Sequence, residues 1–337
     1  MRLRILVTGA AGFIGYHLSQ SLLADGHTVF GLDALTNYYD PGLKRARLLL
    51  LQQQQGFGFG KVDLTDAAAL EAFVADAAAD VVFHLAAQPG VRYSIENPQS
   101  YVQSNVVGTA NLLEALRKHP PKHLIFASTS SVYGGNSKMP YAETDRADAP
   151  LSLYAATKKS GEALVHSYSH LWSVPATCLR FFTVYGPYGR PDMAILKFAH
   201  ALAAGEPIDV YGHGQMRRDF TYVADLVAAM VGIMDRAPVL GQPVPGDSLS
   251  AVAPYRLLNV GGGHPVELMD FIAALERAMG VKAKLNVLPM QPGDVVATQA
   301  DTVLLTTLVG QLPKTPLDEG IDRFLSWFRD HALETMR

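Results

Sequence analysis

Residues 4–15 read Arg-Ile-Leu-Val-Thr-Gly-Ala-Ala-Gly-Phe-Ile-Gly, a short β-forming run followed by glycines at every third position. The run to Thr8 predicts a strand, and the amphipathic pattern that continues to about Ala24 predicts a helix. Glycines at such a turn let the backbone approach a pyrophosphate, which the N–H groups at the helix start can bind. Because the spacing differs from the commonest dinucleotide fingerprint, G-x-G-x-x-G, the interpretation depends on the segments that follow.

Those segments repeat the alternation of strand and helix. Further strands are predicted at 28–32, 61–62, 81–87, 123–127 and 176–183, with helices between them that include 66–79, 98–118 and 154–172. The low-complexity residues 52–60 are assigned to a solvated loop. Six strands alternating with helices predict an α/β fold, a Rossmann-type doubly wound parallel sheet.

The composition changes after residue 180, where shorter elements and proline-rich loops begin. We therefore predict a dinucleotide-binding Rossmann domain at 1–180. Residues 181–337 are predicted to form mainly a smaller α/β substrate-binding domain, with some segments returning to the Rossmann domain.

Polar residues follow several of the predicted strands. Asp33 ends the second strand, where a carboxylate can accept hydrogen bonds from a ribose 2′-hydroxyl and would repel a 2′-phosphate. NAD is therefore favoured over NADP. Asp63 is predicted either to contact adenine or to help start the next helix, and Asn105 to meet either backbone or nicotinamide. His84 lies inside a strand and is interpreted as a core histidine.

Tyr154 and Lys158 lie four residues apart on the predicted helix 154–172, so both face one side. An ammonium beside a phenol favours the phenolate and lowers the pKa of the tyrosine. Tyr154 is therefore a candidate general base. Thr129 follows an apolar strand, and ligands of open α/β sheets bind at that strand edge.

Composition excludes other classes of protein. The chain has 337 residues, 49% of them hydrophobic, and a net charge of −3, which provides no field for nucleic acid or an anionic membrane surface. A small-molecule partner is expected.

The single cysteine, Cys178, excludes an intramolecular disulfide and fits a reducing compartment. The first apolar run is too short for a signal peptide, and no apolar run is long enough to span a membrane, so we expect a cytoplasmic protein. The histidines show no metal-ligand spacing, and no metal is predicted.

The chain resembles the extended short-chain dehydrogenases/reductases and, within that group, the UDP-glucuronate 4-epimerases. The resemblance covers essentially the whole chain. The motifs on which it rests are GAAGFIG at 9–15, HLAAQPGVRYS at 84–94, STSSVYG at 128–134, YAATK at 154–158, RFFTVYGPYGRPDMA at 180–194 and RRDFTY at 217–222.

The resemblance implies an NAD-dependent epimerase that inverts C4 of UDP-glucuronate to give UDP-galacturonate through a transient 4-keto intermediate. Tyr154 would remove the C4-hydroxyl proton, Lys158 would lower its pKa, and Thr129 would bind O4. The predicted cofactor-binding residues are Gly9, Gly12, Phe13, Ile14, Gly15, Asp33, Thr36, Asn37, Asp63, Leu64, Leu85, Ala86, Ala87, Gln88, Asn105, Tyr154 and Lys158. Ala34 departs from the asparagine that is frequent in relatives, so its adenosine contact is expected to pass to Thr36 and Asn37.

The resemblance also implies a set of substrate-binding residues. Arg190 and Thr183 would hold the carboxylate of the sugar, and Arg218 and Tyr211 the diphosphate and uracil. The full predicted set is Thr129, Ser130, Ser131, Arg92, Thr183, Arg190, Tyr211, Arg218 and Asp294. A homodimer is expected, with helices near 98–118 and 154–172 forming a four-helix bundle.

The residues after Thr129 distinguish the reactions of this group. Similar dehydratases carry an Asp-Glu pair at the positions of Ser130 and Ser131, and decarboxylases a Glu at that of Ser131. Both positions are serine here, which favours simple epimerisation. The alternatives are 4-epimerisation of UDP-glucose or UDP-N-acetylglucosamine, decarboxylation of UDP-glucuronate, and a catalytically silent NAD-binding module. Arg190 favours the uronate, because a neutral C6 hydroxymethyl group gives no reason to bury a guanidinium.

Overall fold

The strands of this protein form one large and two small sheets in a computed structural model that describes residues 2–332. In chain order the strands are β1 (Arg4–Thr8), β2 (Thr28–Leu32), β3 (Phe57–Gly60), β4 (Val81–His84), β5 (His123–Thr129), β6 (Ala176–Phe181), β7 (Thr183–Tyr185), β8 (Pro207–Val210), β9 (Arg217–Tyr222), β10 (Tyr255–Val260), β11 (Pro265–Glu267) and β12 (Lys284–Val287). The large sheet has seven strands in the order β10-β6-β5-β4-β1-β2-β3, and every neighbouring pair is parallel. This is the predicted Rossmann-type doubly wound sheet.

Helices pack against the large sheet and the small sheets. They are α1 (Phe13–Ala24), α2 (Pro41–Gln52), α3 (Ala67–Ala77), α4 (Tyr93–Glu96), α5 (Pro98–Tyr101), α6 (Gly108–Lys118), α7 (Leu153–Trp172), α8 (Ala194–Ala204), α9 (Val223–Met234), α10 (Leu268–Met279), α11 (Val303–Val309) and α12 (Leu317–Trp327). Covered parallel strands are apolar on both faces, as in β5, whose residues are all buried. In the part of the chain that the structure describes, no helix is long and apolar enough to cross a membrane.

The strand order reverses between β1 and β4, which are neighbours in the sheet but lie on separate βα units. Connections on either side of this point run to opposite faces, so a crevice opens at the carboxyl ends of the strands. Thr8 and His84 end the two strands in register, and Thr129 ends β5 nearby. The topology therefore brings the predicted site residues to one edge.

The large sheet departs from the sequence-based prediction in two places. The prediction of a loop at 52–60 is wrong, because Phe57–Gly60 forms β3 and pairs with β2. Aromatic rings fill the space that the glycines leave: a Cβ at Gly31 would lie 2.8 Å from the Phe57 ring. The sheet also has a seventh strand, Tyr255–Val260, which pairs with β6 from a much later part of the chain.

The helix predicted at 98–118 and the strand predicted at 176–183 are each interrupted. The helix contains a π-helical segment, Val102–Val107, between α5 and α6. The strand breaks at Phe182, where its backbone N–H bonds Val260, and the chain then enters a different sheet. Local periodicity predicts an element's type better than its interruptions, which depend on tertiary packing.

The two small sheets lie in the later half of the chain. They have the orders β11-β9-β7 and β12-β8. Asp219 on β9 is fully buried and accepts backbone N–H groups from Gly262, Gly263 and Ala300, which ties β9 to the chain after β10. The division at residue 180 remains a prediction, and residues 1 and 333–337 lie outside the described part.

Candidate active site

Two adjoining cavities contain most of the predicted site residues. The strand-end cavity lies at the carboxyl edge of the large sheet, and the predicted residues that line it are Gly9, Gly12, Phe13, Ile14, Gly15, Asp33, Thr36, Asp63, Leu64, Leu85, Ala86, Ala87, Gln88, Thr129, Tyr154, Lys158 and Arg190. The outer cavity lies beside it, and its predicted residues are Arg92, Arg190, Tyr211 and Asp294. Tyr38, Arg190 and Met193 line both cavities and mark where they meet.

Six predicted residues line neither cavity. They are Asn37, Asn105, Ser130, Ser131, Thr183 and Arg218. Ser131 is nevertheless bonded to Thr129, since its backbone N–H and hydroxyl both lie 3.2 Å from the Thr129 hydroxyl. Arg218 donates to the backbone carbonyls of Arg217 and Val296, and burial lowers its pKa while Asp294 opposes this. Each of these two lies close to a cavity-lining residue.

The glycine loop between β1 and α1 has no room for side chains. Gly9 has a φ of +72°, and a Cβ there would lie 2.9 Å from the Ala86 nitrogen. A Cβ at Gly15 would lie 2.1 Å from the Gly9 carbonyl oxygen. Gly12 caps α1 without a side-chain hydrogen bond, so backbone N–H groups face the cavity at the helix start. This is the close-approach geometry that a pyrophosphate needs.

Asp33 lies at the far end of the strand-end cavity and is buried. One of its oxygens accepts the Leu35 N–H at 2.7 Å and lies 3.4 Å from the Lys44 ammonium. Lys44 also donates to the Thr36 hydroxyl, so this cation links two predicted ribose-side residues. Sequence reasoning missed Lys44, although a lysine within a helix that directly follows the second strand could have indicated it.

Asp63 also lines this end of the cavity and has a local role. Its Oδ1 accepts both the backbone N–H and the hydroxyl of Thr65, at 2.8 and 2.7 Å. The cap of α3 is instead Asp66, which accepts the Ala69 N–H. Asp63 therefore shapes the turn before the helix, and its contact with adenine stays a prediction.

The opposite wall is the backbone that follows β4. The Thr8 hydroxyl accepts the N–H groups of Leu85 and Ala86 and also contacts the buried His84 ring. Burial lowers the pKa of His84 to about 3, so the ring is neutral, and the prediction of a core histidine is confirmed. The side-chain amide of Asn105 accepts the backbone N–H of Gln88 and donates to the Gln88 carbonyl. Of its two predicted contacts, the structure records the one with backbone.

Tyr154 and Thr129 form the centre of the site. Tyr154 lies in the first turn of α7, which Ser152 caps by accepting the Ala155 N–H. Its phenol lies beside the hydroxyl of Thr129, which ends β5, and both residues line the strand-end cavity. Burial raises the pKa of Tyr154, and the Thr129 hydrogen bond and the charge of Arg190 act against that rise. The Tyr154 phenol and the Thr129 hydroxyl can therefore both contact one oxygen atom of a bound substrate.

Lys158 lies one turn after Tyr154 and is buried, with its ammonium 4.4 Å from the centre of the Phe126 ring. Burial lowers the pKa of Lys158 to about 8. The lowering of the Tyr154 pKa by Lys158 stays a prediction. In this structure the positive charge of Arg190 acts to lower the pKa of Tyr154.

Arg190 is held by a carboxylate that sequence reasoning did not single out. Its Nε and Nη2 lie 3.0 and 2.6 Å from the two oxygens of Asp192, and Tyr38 donates to the same carboxylate at 3.1 Å. Burial lowers the pKa of Arg190, but Asp192 raises it above its usual value. The guanidinium is therefore charged and already paired, so the argument that only a uronate explains its burial is wrong.

A second ion pair lies in the outer cavity. Arg92 lies 3.2 Å from Asp294 and stacks 4.5 Å from the centre of the Tyr211 ring. The Arg92 side chain is 43% exposed. Three of the predicted substrate residues thus form one contiguous group, although they are far apart in the sequence.

Arg47 is a further residue that sequence reasoning missed. It is fully buried on α2 and donates to the Ala11 carbonyl of the glycine loop. The same guanidinium donates to the carbonyls of Tyr188 and Gly189, directly before Arg190. One side chain therefore joins the glycine loop to the segment that carries Arg190.

In the described part of the chain, no group of three or more His, Cys, Asp or Glu side chains is arranged to hold a metal. The strand-end cavity instead has a glycine loop at one end, a ribose-side carboxylate and a Tyr-Thr pair. This arrangement suits a dinucleotide and a hydroxyl-bearing substrate.

Comparison with known proteins places the chain in one family. A family model described as the NAD dependent epimerase/dehydratase family matches residues 5–243. A probable UDP-glucuronate 4-epimerase from Rhizobium meliloti is 51% identical over 97% of each chain. UDP-glucuronate 4-epimerase 3 from Arabidopsis thaliana is 44% identical over 96% of this chain and 76% of its own.

Among solved structures, a Bacillus cereus UDP-glucuronic acid 4-epimerase in complex with UDP-glucuronic acid and NAD is similar. It superposes with a TM-score of 0.86, at 35% identity, over 97% of this chain and 99% of its own. The agreement extends over both the large sheet and the two small ones. The chain therefore belongs to the NAD dependent epimerase/dehydratase family.

Proposed function

We propose that this protein is an NAD-dependent nucleotide-sugar 4-epimerase that converts UDP-glucuronate to UDP-galacturonate through a transient 4-keto sugar. The observation that carries the proposal is that Tyr154 and Thr129 line one cavity together with the glycine loop and Asp33, which fit a dinucleotide. The choice of sugar is supported by the near full-length similarity to proteins named as UDP-glucuronate 4-epimerases.

The residues of the strand-end cavity fit NAD. Gly9 and Gly15 leave the room that a pyrophosphate needs, and Asp33 can accept the ribose hydroxyls. NAD when bound accepts a hydride from the sugar and returns it. Lys44 pairs with Asp33 and so fixes the carboxylate that would accept the ribose hydroxyls. Asn105 fixes the backbone of Gln88 at the opposite wall of the cavity.

The chain's own residues move and hold the proton. Tyr154 takes the proton of the C4 hydroxyl and gives it back, while the Thr129 hydroxyl binds the same oxygen. The positive charge of Arg190 favours the phenolate form of Tyr154. Lys158 supplies a second cation one turn away.

Elimination needs an acid and a base near C5 and C6 of the sugar, and similar decarboxylases carry a glutamate after the strand-end threonine. Ser130 and Ser131 occupy the positions after Thr129. Among the described residues, the carboxylates that line the strand-end cavity are Asp33 and Asp63, both at its far end from Tyr154. This supports simple epimerisation.

The pairing of Arg190 with Asp192 gives a second candidate function some support. A neutral sugar would leave this ion pair intact and would leave no buried charge unpaired. The second candidate function is therefore 4-epimerisation of UDP-glucose or UDP-N-acetylglucosamine. Both candidates share the reaction and the base, and they differ in the sugar alone.

The experiment that tests the proposal is proton NMR of the purified protein with UDP-glucuronate and no added cofactor. Formation of UDP-galacturonate supports both the reaction and retained NAD. A pentose as the main product would contradict the assignment as an epimerase. Turnover of UDP-glucose or UDP-N-acetylglucosamine without turnover of the uronate would favour the second candidate.

We also propose that the protein is a cytoplasmic homodimer with the division into domains near residue 180. Leu171 and Trp172 at the end of α7 are exposed apolar side chains and support a protein contact there. The thiol of Cys178 is buried and free, which suits a reducing compartment. A monomer in sedimentation at micromolar concentration would contradict the dimer, and cell fractionation tests the location.

A further inference from the structure

The Arg190–Asp192 pair uses one edge of the guanidinium and leaves another edge available. Asp192 accepts from Nε at 3.0 Å and from Nη2 at 2.6 Å. No described residue forms a hydrogen bond with Nη1. An arginine can bind a carboxylate through either of two edges, the Nε/Nη2 side or the Nη1/Nη2 end. The Nη1/Nη2 end of Arg190 is thus available to a second carboxylate.

Asp192 is itself held from the cofactor side. Tyr38, which lines both cavities, donates to its Oδ2 at 3.1 Å. The Tyr38 ring packs 4.8 Å from that of Tyr93. A Cβ added at Gly90 would lie 2.7 Å from the Tyr38 hydroxyl, so the backbone closely confines that hydroxyl. The direction of the guanidinium is therefore set by contacts outside its own loop.

We propose that Asp192 is a positioning residue that holds the Nε/Nη2 edge of Arg190 so that the Nη1/Nη2 end meets the C5 carboxylate of the nucleotide sugar. This inference rests on the proposed epimerisation of UDP-glucuronate. Asp192 thereby controls the orientation of the substrate carboxylate without contacting the reacting C4.

The orientation matters because a 4-keto uronate is a β-keto acid. Loss of carbon dioxide breaks the C5–C6 bond and leaves its electron pair in a C4–C5 enolate, which takes a proton to give a 4-keto pentose. This step is fast only when the breaking bond aligns with the π system of the ketone. A guanidinium fixed by Asp192 keeps the carboxylate from rotating into that alignment.

The test is the product partition of Asp192→Asn with UDP-glucuronate, followed by proton NMR. The asparagine keeps the size of the side chain but cannot accept through two anionic oxygens, so Arg190 gains freedom to rotate. We expect the ratio of pentose products to UDP-galacturonate to rise by about fivefold or more. A purely structural role would lower stability or the rate of both products together and would not change their ratio.

The chain contains a matched control outside both cavities. Asp247 accepts from Nε and Nη2 of Arg256 at 2.7 and 2.8 Å, the same edge that Asp192 holds on Arg190. We expect Asp247→Asn to keep the product ratio of the unmodified protein. Tyr38→Phe keeps the Asp192 charge and removes one hydrogen bond, and we expect a smaller shift in the same direction as Asp192→Asn. Binding of UDP alone, measured by calorimetry, should stay within about twofold of the parent in all three variants.

The outcomes separate the two proposals. If the unmodified protein forms no UDP-galacturonate, the proposed function fails. If it does, the role of Asp192 is overturned, while the function stands, when Asp192→Asn keeps the parental product ratio or shifts it no more than Asp247→Asn does. If Asp192→Asn does not fold, Tyr38→Phe decides, and an unchanged ratio in that variant also overturns the role.

Discussion

The strand-end cavity and the outer cavity meet at Arg190 but are built in different ways. Closely packed backbone at the ends of parallel strands shapes one wall of the strand-end cavity, as at Gly9 and Ala86. The outer cavity depends on long charged side chains from distant loops, paired as Arg190–Asp192 and Arg92–Asp294. Backbone can hold one shape, whereas a paired arginine can also bind an entering anion through the edge that its carboxylate partner leaves free.

This contrast predicts where mutations act. Changes to the strand-end cavity should affect the chemical step or cofactor retention. Changes to the outer cavity should affect which sugar binds and how it is held. Arg190 belongs to both and should affect both.

The largest effect is expected from Tyr154→Phe. The change removes the phenolic oxygen that takes the proton and keeps the ring that contacts Tyr101. We expect kcat to fall by about a thousandfold, because general base catalysis contributes roughly 10²–10⁴. The measurement is initial rates by NMR. Bound NAD, measured by absorbance after denaturation, serves as the control and should be unchanged. A fall of less than tenfold would show that the base lies elsewhere.

The next effect is expected from Arg190→Met, which tests the junction of the cavities. Loss of the charge-assisted contacts should lower kcat/KM for UDP-glucuronate by about 100-fold. Tyr154 is active as the phenolate, so the rate rises as pH rises through its pKa. Arg190 lowers that pKa, together with the Thr129 hydrogen bond and against burial.

Removing the cation therefore raises the pKa of Tyr154 and moves the rise in rate to higher pH. The charged and titratable groups around this phenol are Arg190, Asp192, Tyr38, Tyr101 and Lys158. A pH–kcat profile of the variant checks the direction of the shift. A profile that coincides with that of the parent would mean that Arg190 acts on the sugar alone and that the two cavities are electrostatically separate.

A smaller effect is expected from Asp33→Asn in the strand-end cavity. The variant keeps the shape but loses the negative charge that accepts ribose hydroxyls and repels a 2′-phosphate. We expect NAD to bind about tenfold more weakly, as charged hydrogen bonds contribute about 1.5–3 kcal/mol. Preference for NAD over NADP should also fall, because Lys44 then lacks its partner. Dissociation constants for both cofactors give the result, and an unchanged NAD/NADP ratio would remove Asp33 from this role.

The smallest effect is expected from Arg92→Met at the rim of the outer cavity. Its pair with Asp294 is partly exposed, and such pairs contribute about 0–1 kcal/mol. We expect KM for UDP-glucuronate to rise by about threefold with kcat unchanged. Steady-state kinetics distinguish the two parameters. A large fall in kcat would place Arg92 in the chemistry and would break the division between the two cavities.

Sequence reasoning was most accurate where a residue's place depends on its neighbours in the chain. Five of the seven strands in the large sheet lie at or near their predicted positions. The third lies at Phe57–Gly60, inside the predicted loop, and the seventh, Tyr255–Val260, was not predicted. The glycine loop, Asp33, and the helical spacing of Tyr154 and Lys158 were all readable, since a strand end or a helix face sets the direction of each side chain.

The hydrogen-bond and ion-pair partners of the charged residues could not be predicted from the sequence. Tyr38 meets Asp192 across 154 positions, and Arg92 meets Asp294 across 202. The seventh strand, Tyr255–Val260, joins the sheet from a segment assigned mainly to the other domain. Such contacts depend on how loops fold over the sheet, which local periodicity does not encode.

The sequence by itself therefore determined the fold class, the kind of cofactor and the identity of the candidate base, because each depends on residues that are close in the chain. Only the tertiary structure decided that Arg190 is already paired with Asp192, that Lys44 accompanies Asp33 and that Arg47 joins the glycine loop to the Arg190 segment. The physical reason is that the charge state and direction of a long side chain are set by whatever partner the folded chain brings within hydrogen-bonding distance.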